Sequence, residues 1–166
     1  MNTVMNNQAS EHPTTLTTPS DRELVITRDF DAPRGLVFEA WTKPEHVRQW
    51  YGLRRMTTTI CDIDLRVGGR WRWGQTDGDG QQIVFSGEYR EIVPPERIVY
   101  TETFEMFPDA ATLVTLTFDE HAGRTTLTSR SLWPSAEALR GALATGMQTG
   151  VVETYDRLAR LLGTMG

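Results

Sequence analysis

The hydrophobic pattern changes period along the chain, and those changes mark out the elements. From Glu23 to Asp31, Leu24, Ile26, Arg28 and Phe30 alternate with Val25, Thr27 and Asp29, the two-residue period of a strand. The next stretch, DAPRGLVFEAWTKPEHVRQWYG, predicts two short helices joined near Thr42 to Pro44. Pro33 suits a first helical turn, Val37, Phe38 and Trp41 supply an apolar edge, Thr42 and Glu45 have capping-box spacing, and Gly52 provides the stop. Trp41 and Trp50 are expected to pack these helices onto a sheet. Strands follow at Met56 to Ile63, Arg70 to Trp73, Ile83 to Ile92, Arg97 to Phe104, Thr112 to Phe118 and Thr125 to Ser131, separated by Gly68-Gly69, TDGDG, Pro94-Pro95 and the turn at His121 to Gly123. With no helical pattern between them, these strands imply an antiparallel meander.

The period returns to 3.6 from Pro134 to Leu162, where Leu139, Leu143, Met147, Gly150, Thr154, Leu158 and Leu161 share one face. Pro134, Ser135 and Glu137 are start signals. This predicts one amphipathic helix, about 40 Å long at 1.5 Å per residue. Gly141, Gly146 and Gly150 each cost about 1 kcal/mol inside a helix relative to alanine. They are expected to leave a void beside the apolar stripe; the rival reading is close approach of a sheet backbone. A curled sheet with one apolar face needs cover, and this helix is the element of the right size. The fold class is therefore α+β: a seven-stranded curved antiparallel sheet wrapped around a long C-terminal helix, with two short helices after the first strand. Residues 1–21, rich in Asn, Thr, Ser and Pro, read as a flexible tail, and 22–163 as a single domain.

Composition narrows the function classes. The chain has 166 residues, 39% hydrophobic and 23% charged, as in one soluble globular domain. A formal net charge of −5 argues against a general nucleic-acid binder. No apolar run reaches the roughly 20 residues that span a bilayer, and no secretory leader is visible. Cys61 is the single cysteine, so no intramolecular disulfide forms, and a cytoplasmic location is the expectation.

Candidate chemistry is sparse. His12, His46 and His121 fall in separate elements, and no metal cluster, nucleophile elbow, phosphate loop or dinucleotide fingerprint is present, so neither a metal nor a cofactor is expected. The DGDG segment at Asp77 to Gly80 lacks the spacing of a calcium loop and reads as a hairpin turn. Arg54, Arg55, Arg66, Arg70 and Arg72 either meet an acidic partner or form a solvated face paired with Glu88 and other acids. Glu102 shares strand parity with Ile98, Tyr100 and Phe104, so its carboxylate is a candidate for the interior; a bulge or solvation at the strand end is the alternative. Tyr89 and Tyr100 add hydroxyls to the same face or serve as core residues. One acid and two phenols without an organised partner do not define a reaction.

TRDFDAPRGLVFEAWTKPEHVRQWYG, DLRVGGRWRW, GEYREIVPPERIVYTETF and GMQTGVVETYDRLARLL together resemble the activator of heat-shock-protein ATPase homologue (AHSA) group, in its bacterial-type single-domain form. That group belongs to the START-like, or SRPBCC, superfamily of helix-grip proteins. The resemblance spans about Glu23 to Leu162 and implies a seven-stranded sheet gripping the last helix with a hydrophobic cavity between them. Tyr51 departs from the second tryptophan common there. Superfamily members include lipid carriers, hormone receptors, polyketide cyclases and a co-chaperone domain. The first expectation is binding of a small, largely hydrophobic ligand lined by Trp41, Trp73, Phe85, Tyr89, Tyr100, Glu102, Leu143, Met147 and Gly150. The alternatives are a protein-interaction module that regulates an ATPase, and a cyclase or hydrolase using Glu102 with a hydrogen-bonded phenol. Either a monomer or a homodimer fits the sequence.

Overall fold

A computed structural model describes residues 5–6 and 12–165. The elements run β1 (Met5–Asn6), β2 (Thr15–Ser20), β3 (Glu23–Phe30), α1 (Arg34–Thr42), α2 (Pro44–Trp50), β4 (Thr57–Ile63), β5 (Arg70–Thr76), β6 (Gln82–Val93), β7 (Arg97–Phe104), β8 (Ala111–His121), β9 (Arg124–Leu132), α3 (Ala136–Ala144) and α4 (Met147–Met165). One antiparallel sheet carries the order β1-β2-β3-β9-β8-β7-β6-β5-β4. The α+β class, the curved antiparallel sheet, the two short helices and the C-terminal helical cover are as the sequence predicts.

Three details differ. The sheet has nine strands rather than seven, of which β1 is only two residues long. The added strand β2 lies within residues 1–21, the stretch expected to be a flexible tail; the rest of that expectation, at 1–4 and 7–11, falls outside the described residues. Thr15–Ser20 alternates burial, with Leu16 at 2% exposure, and pairs antiparallel with β3 through Thr15–Thr27, Leu16–Ile26 and Thr17–Val25. A threonine-rich stretch with one well-placed leucine is a good edge strand once a partner exists, which composition alone does not reveal.

The terminal helix is two helices. Gly146 adopts φ +80°, and its N–H donates to the Leu143 carbonyl at 3.2 Å while Thr145 N–H donates to Ala142 at 3.1 Å. This is a left-handed helix stop, the conformation glycine adopts without steric cost. The burial phase restarts after the break, on Tyr155, Leu158 and Leu162 instead of the Thr154 and Leu161 of a continuous stripe. Ser135 does cap α3, its hydroxyl accepting from Ala138 N–H at 3.0 Å. The Thr42–Glu45 capping box does not form: Lys43 occupies the cap position, and the Thr42 hydroxyl donates back to the Phe38 carbonyl at 2.9 Å.

The core lies between the concave sheet face and the helices. Leu24, Phe30, Val37, Val47, Trp50, Leu116, Phe118, Leu127 and Leu158 are all buried there. Trp50 is fixed by its indole N–H donating to the Ala40 carbonyl at 2.9 Å. The main neighbours of α4 are α1, α2, α3 and β3; it does not settle with the same closeness onto the middle strands β5 to β8. The helix α4 therefore lies nearest the β3 side of the sheet and the two small helices.

Candidate functional site

The concave face of the sheet's far half is lined by alternate residues of five strands, β4 to β8. Register aligns Cys61 with Trp73, Trp73 with Phe85, Phe85 with Phe104, Tyr89 with Tyr100, and Tyr100 with Val114, placing all of them on the concave side. Strand parity carries Glu102 to the same face, between Tyr100 and Phe104. The inward reading of Glu102 therefore holds.

The inward residues divide by burial. Trp71, Trp73 and Tyr89 are buried, whereas Phe85, Tyr100, Glu102 and Phe104 keep accessible surface although they face inward. From the helix side Leu143, Met147 and Val151 are likewise half-buried. A filled interior would seal such large side chains. Together they form a partly exposed patch shared by the middle strands and the α3–α4 junction.

Aromatic contacts organise one end of it. Trp41 lies 6.1 Å from Trp73 and 6.4 Å from Tyr155, Tyr51 lies 5.0 Å from Trp73, and Trp71 lies 5.4 Å from both Trp73 and Tyr100. Gly87 makes this possible: a Cβ there would stand 1.7 Å from the Thr101 carbonyl oxygen and 2.7 Å from the Trp71 indole nitrogen. Across that gap the Trp71 N–H donates to Thr101 at 3.1 Å. Phe85, the cross-strand partner of Trp73, stacks on Phe104 at 5.1 Å.

Tyr51 is set in place by a clamp on the segment after α2. The buried Gln75 amide donates to the Tyr51 and Leu53 carbonyls at 3.2 and 3.1 Å and accepts from Leu53 N–H at 2.9 Å. Arg157 on α4 donates to the Tyr51 and Gly52 carbonyls at 3.1 and 3.0 Å and to Gln49 at 3.2 Å. These bonds satisfy acceptors left open at the C-terminal end of α2.

Glu102 sits at the centre electrostatically. Burial raises its carboxyl pKa to about 7, and its charge in turn adds to the burial that raises the phenols of Tyr51, Tyr100 and Tyr155. Among the described residues Glu102 has no ion pair and no side-chain hydrogen bond, including to any of those phenols. Thus the hydrogen-bonded phenol that an acid–base reaction would require does not accompany it here.

Of the residues expected to line the site, Trp73, Phe85, Tyr100 and Glu102 share the concave face, Trp41 packs on Trp73 from α1, and Leu143 and Met147 flank the helix break. Tyr89 is buried toward the β4–β5 turn, where its backbone bonds Gly68 and Gly69. Gly150 does not open a void: a Cβ there would meet Leu53 Cδ2 at 3.3 Å, so it makes room for the clamped loop. Gly141 is exposed with nothing within 4 Å of such an atom. The sequence reading missed Tyr155, which a helical period restarted at Met147 would have put beside Val151 and Leu158. It also missed the part played by Tyr51, whose aim depends on the Gln75 and Arg157 bonds.

Several arginines pair with acids on the outer surface. Arg72 forms a bidentate pair with Glu105 at 2.9 Å, Arg90 pairs with Glu88 at 3.1 Å and Arg66 with Asp64 at 2.9 Å. Asp77 Oδ1 accepts from Asp79 and Gln81 N–H at 2.9 Å each, the turn role expected of that loop. A hollow of 480 Å³ lies on this outer face between Arg70, Glu88, Arg90 and Glu105. Among the described residues no group of three or more His, Cys, Asp or Glu converges as a metal site, and no helix is long and apolar enough to cross a membrane.

Residues 31–163 match the family described as Activator of Hsp90 ATPase homolog 1-like protein. No curated protein matches the chain. Among solved structures, the chain is similar to a protein from Rhodobacter sphaeroides, with 25% identity, 92% of this chain and 99% of that chain covered, and a TM-score of 0.85. It is also similar to a Staphylococcus epidermidis protein (28% identity, 89% and 93% covered, TM-score 0.77) and a Mycobacterium smegmatis protein (28% identity, 86% and 91% covered, TM-score 0.76).

Proposed function

We propose, from the premise that the chain belongs to the Activator of Hsp90 ATPase homolog 1-like protein family, that it binds a small, largely apolar molecule in the cleft between the concave sheet face and α3–α4. The observation that carries this reading is the partial exposure of Phe85, Tyr100, Glu102 and Phe104, side chains that point inward on the sheet yet are not sealed by the helix. Apolar walls with a few convergent polar groups are the usual composition of a small-molecule site. The break at Gly146 supports it, because the apolar faces of α3 and α4 are no longer in phase and need not close on the sheet together. Met147, unbranched and polarizable, adapts to guests of different shape. Trp41, Trp73, Tyr89, Leu143 and Met147 then act as wall, and Glu102 and Tyr100 set orientation. Action in the cytoplasm fits the single unpaired cysteine.

The test is native mass spectrometry of the purified protein after exposure to a lipid and metabolite extract. A bound species of small-molecule mass is expected on the wild type. Met147→Trp, which fills the cleft from the helix side, is expected to lose it while keeping the thermal midpoint. Absence of any adduct on the wild type, or an equally loaded Met147→Trp, would sink the reading.

A further inference from the structure

The cleft contains a carboxylate without a countercharge. Glu102 has no ion pair among the described residues, in contrast to Arg28 on β3, whose guanidinium already meets Asp156 at 2.7 Å. The titratable groups that interact with Glu102 come from three elements, Tyr51 after α2, Tyr100 on β7 and Tyr155 on α4, with Arg28 acting on Tyr155 from β3 and Tyr89 acting on Tyr100 from β6. All four phenols are raised above their ordinary value, so they stay neutral across the working range and bring no positive charge. The rings of Tyr51 and Tyr155 adjoin the indoles of Trp73 and Trp41 at 5.0 and 6.4 Å.

Phenols and indoles gathered on the same concave face as one carboxylate are a chemical arrangement with a definite preference. The negative faces of aromatic rings attract a cation, and more strongly where water is excluded. A carboxylate at the same place attracts it again. An anionic guest would meet repulsion from Glu102, and a neutral one would leave the buried charge uncompensated.

We propose that the guest is an organic cation with an apolar body, a quaternary or protonated amine whose charge sits against Glu102 within the rings of Tyr51, Trp73, Tyr100 and Tyr155 while its chain lies toward Phe85 and Met147. This rests on the cleft reading above and specifies what the cleft takes. It also gives the unpaired carboxylate a partner that the fold itself does not supply.

The experiment titrates the full-length protein with decyltrimethylammonium, decanol and decanoate, following tryptophan fluorescence and heat at pH 8.5 and 5.5. The ammonium probe has a fixed charge, so its pH dependence belongs to the protein. At pH 8.5 it is expected to bind at least about tenfold more tightly than decanol, with decanoate weakest. With the Glu102 carboxyl titrating at about 7, and so almost wholly protonated at pH 5.5, ammonium affinity is expected to fall there by about tenfold, to near that of decanol. Glu102→Gln, checked for folding by near-UV circular dichroism, is expected to bring the ammonium-to-decanol ratio close to one. Decanol binding as well as the ammonium probe, or an unchanged ratio in Glu102→Gln, overturns the cation assignment and leaves the cleft reading standing. Failure of all three probes overturns both.

Discussion

Arg28 Nη1 lies 2.7 Å from Asp156 Oδ1, a contact between residues 128 apart in sequence that ties β3 to α4. The arginine is 3% exposed, and its guanidinium also donates to the Thr14 hydroxyl at 3.0 Å and stands 5.4 Å from the Phe30 ring centroid. Asp156 keeps 29% exposure, so the aspartate bears less desolvation cost than the arginine. The pair anchors α4 to β3, next to Tyr155.

Removing the aspartate should therefore be worse than removing both charges. A buried ion pair broken on one side costs about 3–5 kcal/mol, because the remaining charge is uncompensated. Asp156→Asn is expected toward the lower part of that range, since water reaches Asp156. Arg28→Met combined with Asp156→Leu should recover much of the loss. Urea unfolding of the two singles and the double decides the matter; a double variant as unstable as the sum of the singles would contradict it.

Glu102 makes stability depend on pH with a definite sign. Its carboxyl titrates at about 7 when folded and at the ordinary 4.5 when unfolded. Below 4.5 both states are protonated and the group is neutral to stability. As pH rises from 4.5 to 7 the unfolded chain ionises first, so stability falls, and above 7 the penalty levels off at roughly 3 kcal/mol. Glu102→Gln, which keeps the shape without the charge, should be more stable than wild type at pH 8 by about 2–3 kcal/mol and equal to it near pH 4. Thermal melts across that range test this; a Gln variant less stable at pH 8 would show that the carboxylate has a stabilising partner.

Two glycines should respond in opposite directions to the same methyl group. At Gly87 a Cβ would stand 1.7 Å from the Thr101 backbone oxygen, so Gly87→Ala must separate β6 from β7 or displace Trp71. A loss of more than about 3 kcal/mol is expected. Gly141 is exposed in α3 with open space around it, and Gly141→Ala should add about 1 kcal/mol. Denaturant midpoints of both variants measure it directly; a neutral Gly87→Ala would refute the close approach.

Much of the architecture was legible in local pattern. Alternation located β3 to β9 within a few residues, Pro33 and Gly52 bracketed the two small helices, and Ser135 marked the start of α3, because each signal acts on its immediate neighbours. Parity likewise grouped Glu102 with Tyr100 and Trp71 with Trp73, since a strand has only two sides, while the pairing of the strands decided that both groups face the helices. Arg28 also fell on the apolar face by that count, but its reason, Asp156, lies on the last helix. The remainder was decided by the tertiary structure. Thr15–Ser20 becomes a strand only because β3 offers it a free edge. Gly146 breaks the terminal helix, and so selects Tyr155 over Thr154, through a left-handed backbone that no hydrophobic period encodes. Gly150 yields to Leu53, and Tyr51 turns toward Glu102, through bonds from Gln75 and Arg157 that bring together segments far apart in the chain. Sequence pattern governs which way a side chain faces from its own element. Whether the space it faces is filled depends on how distant elements settle against one another.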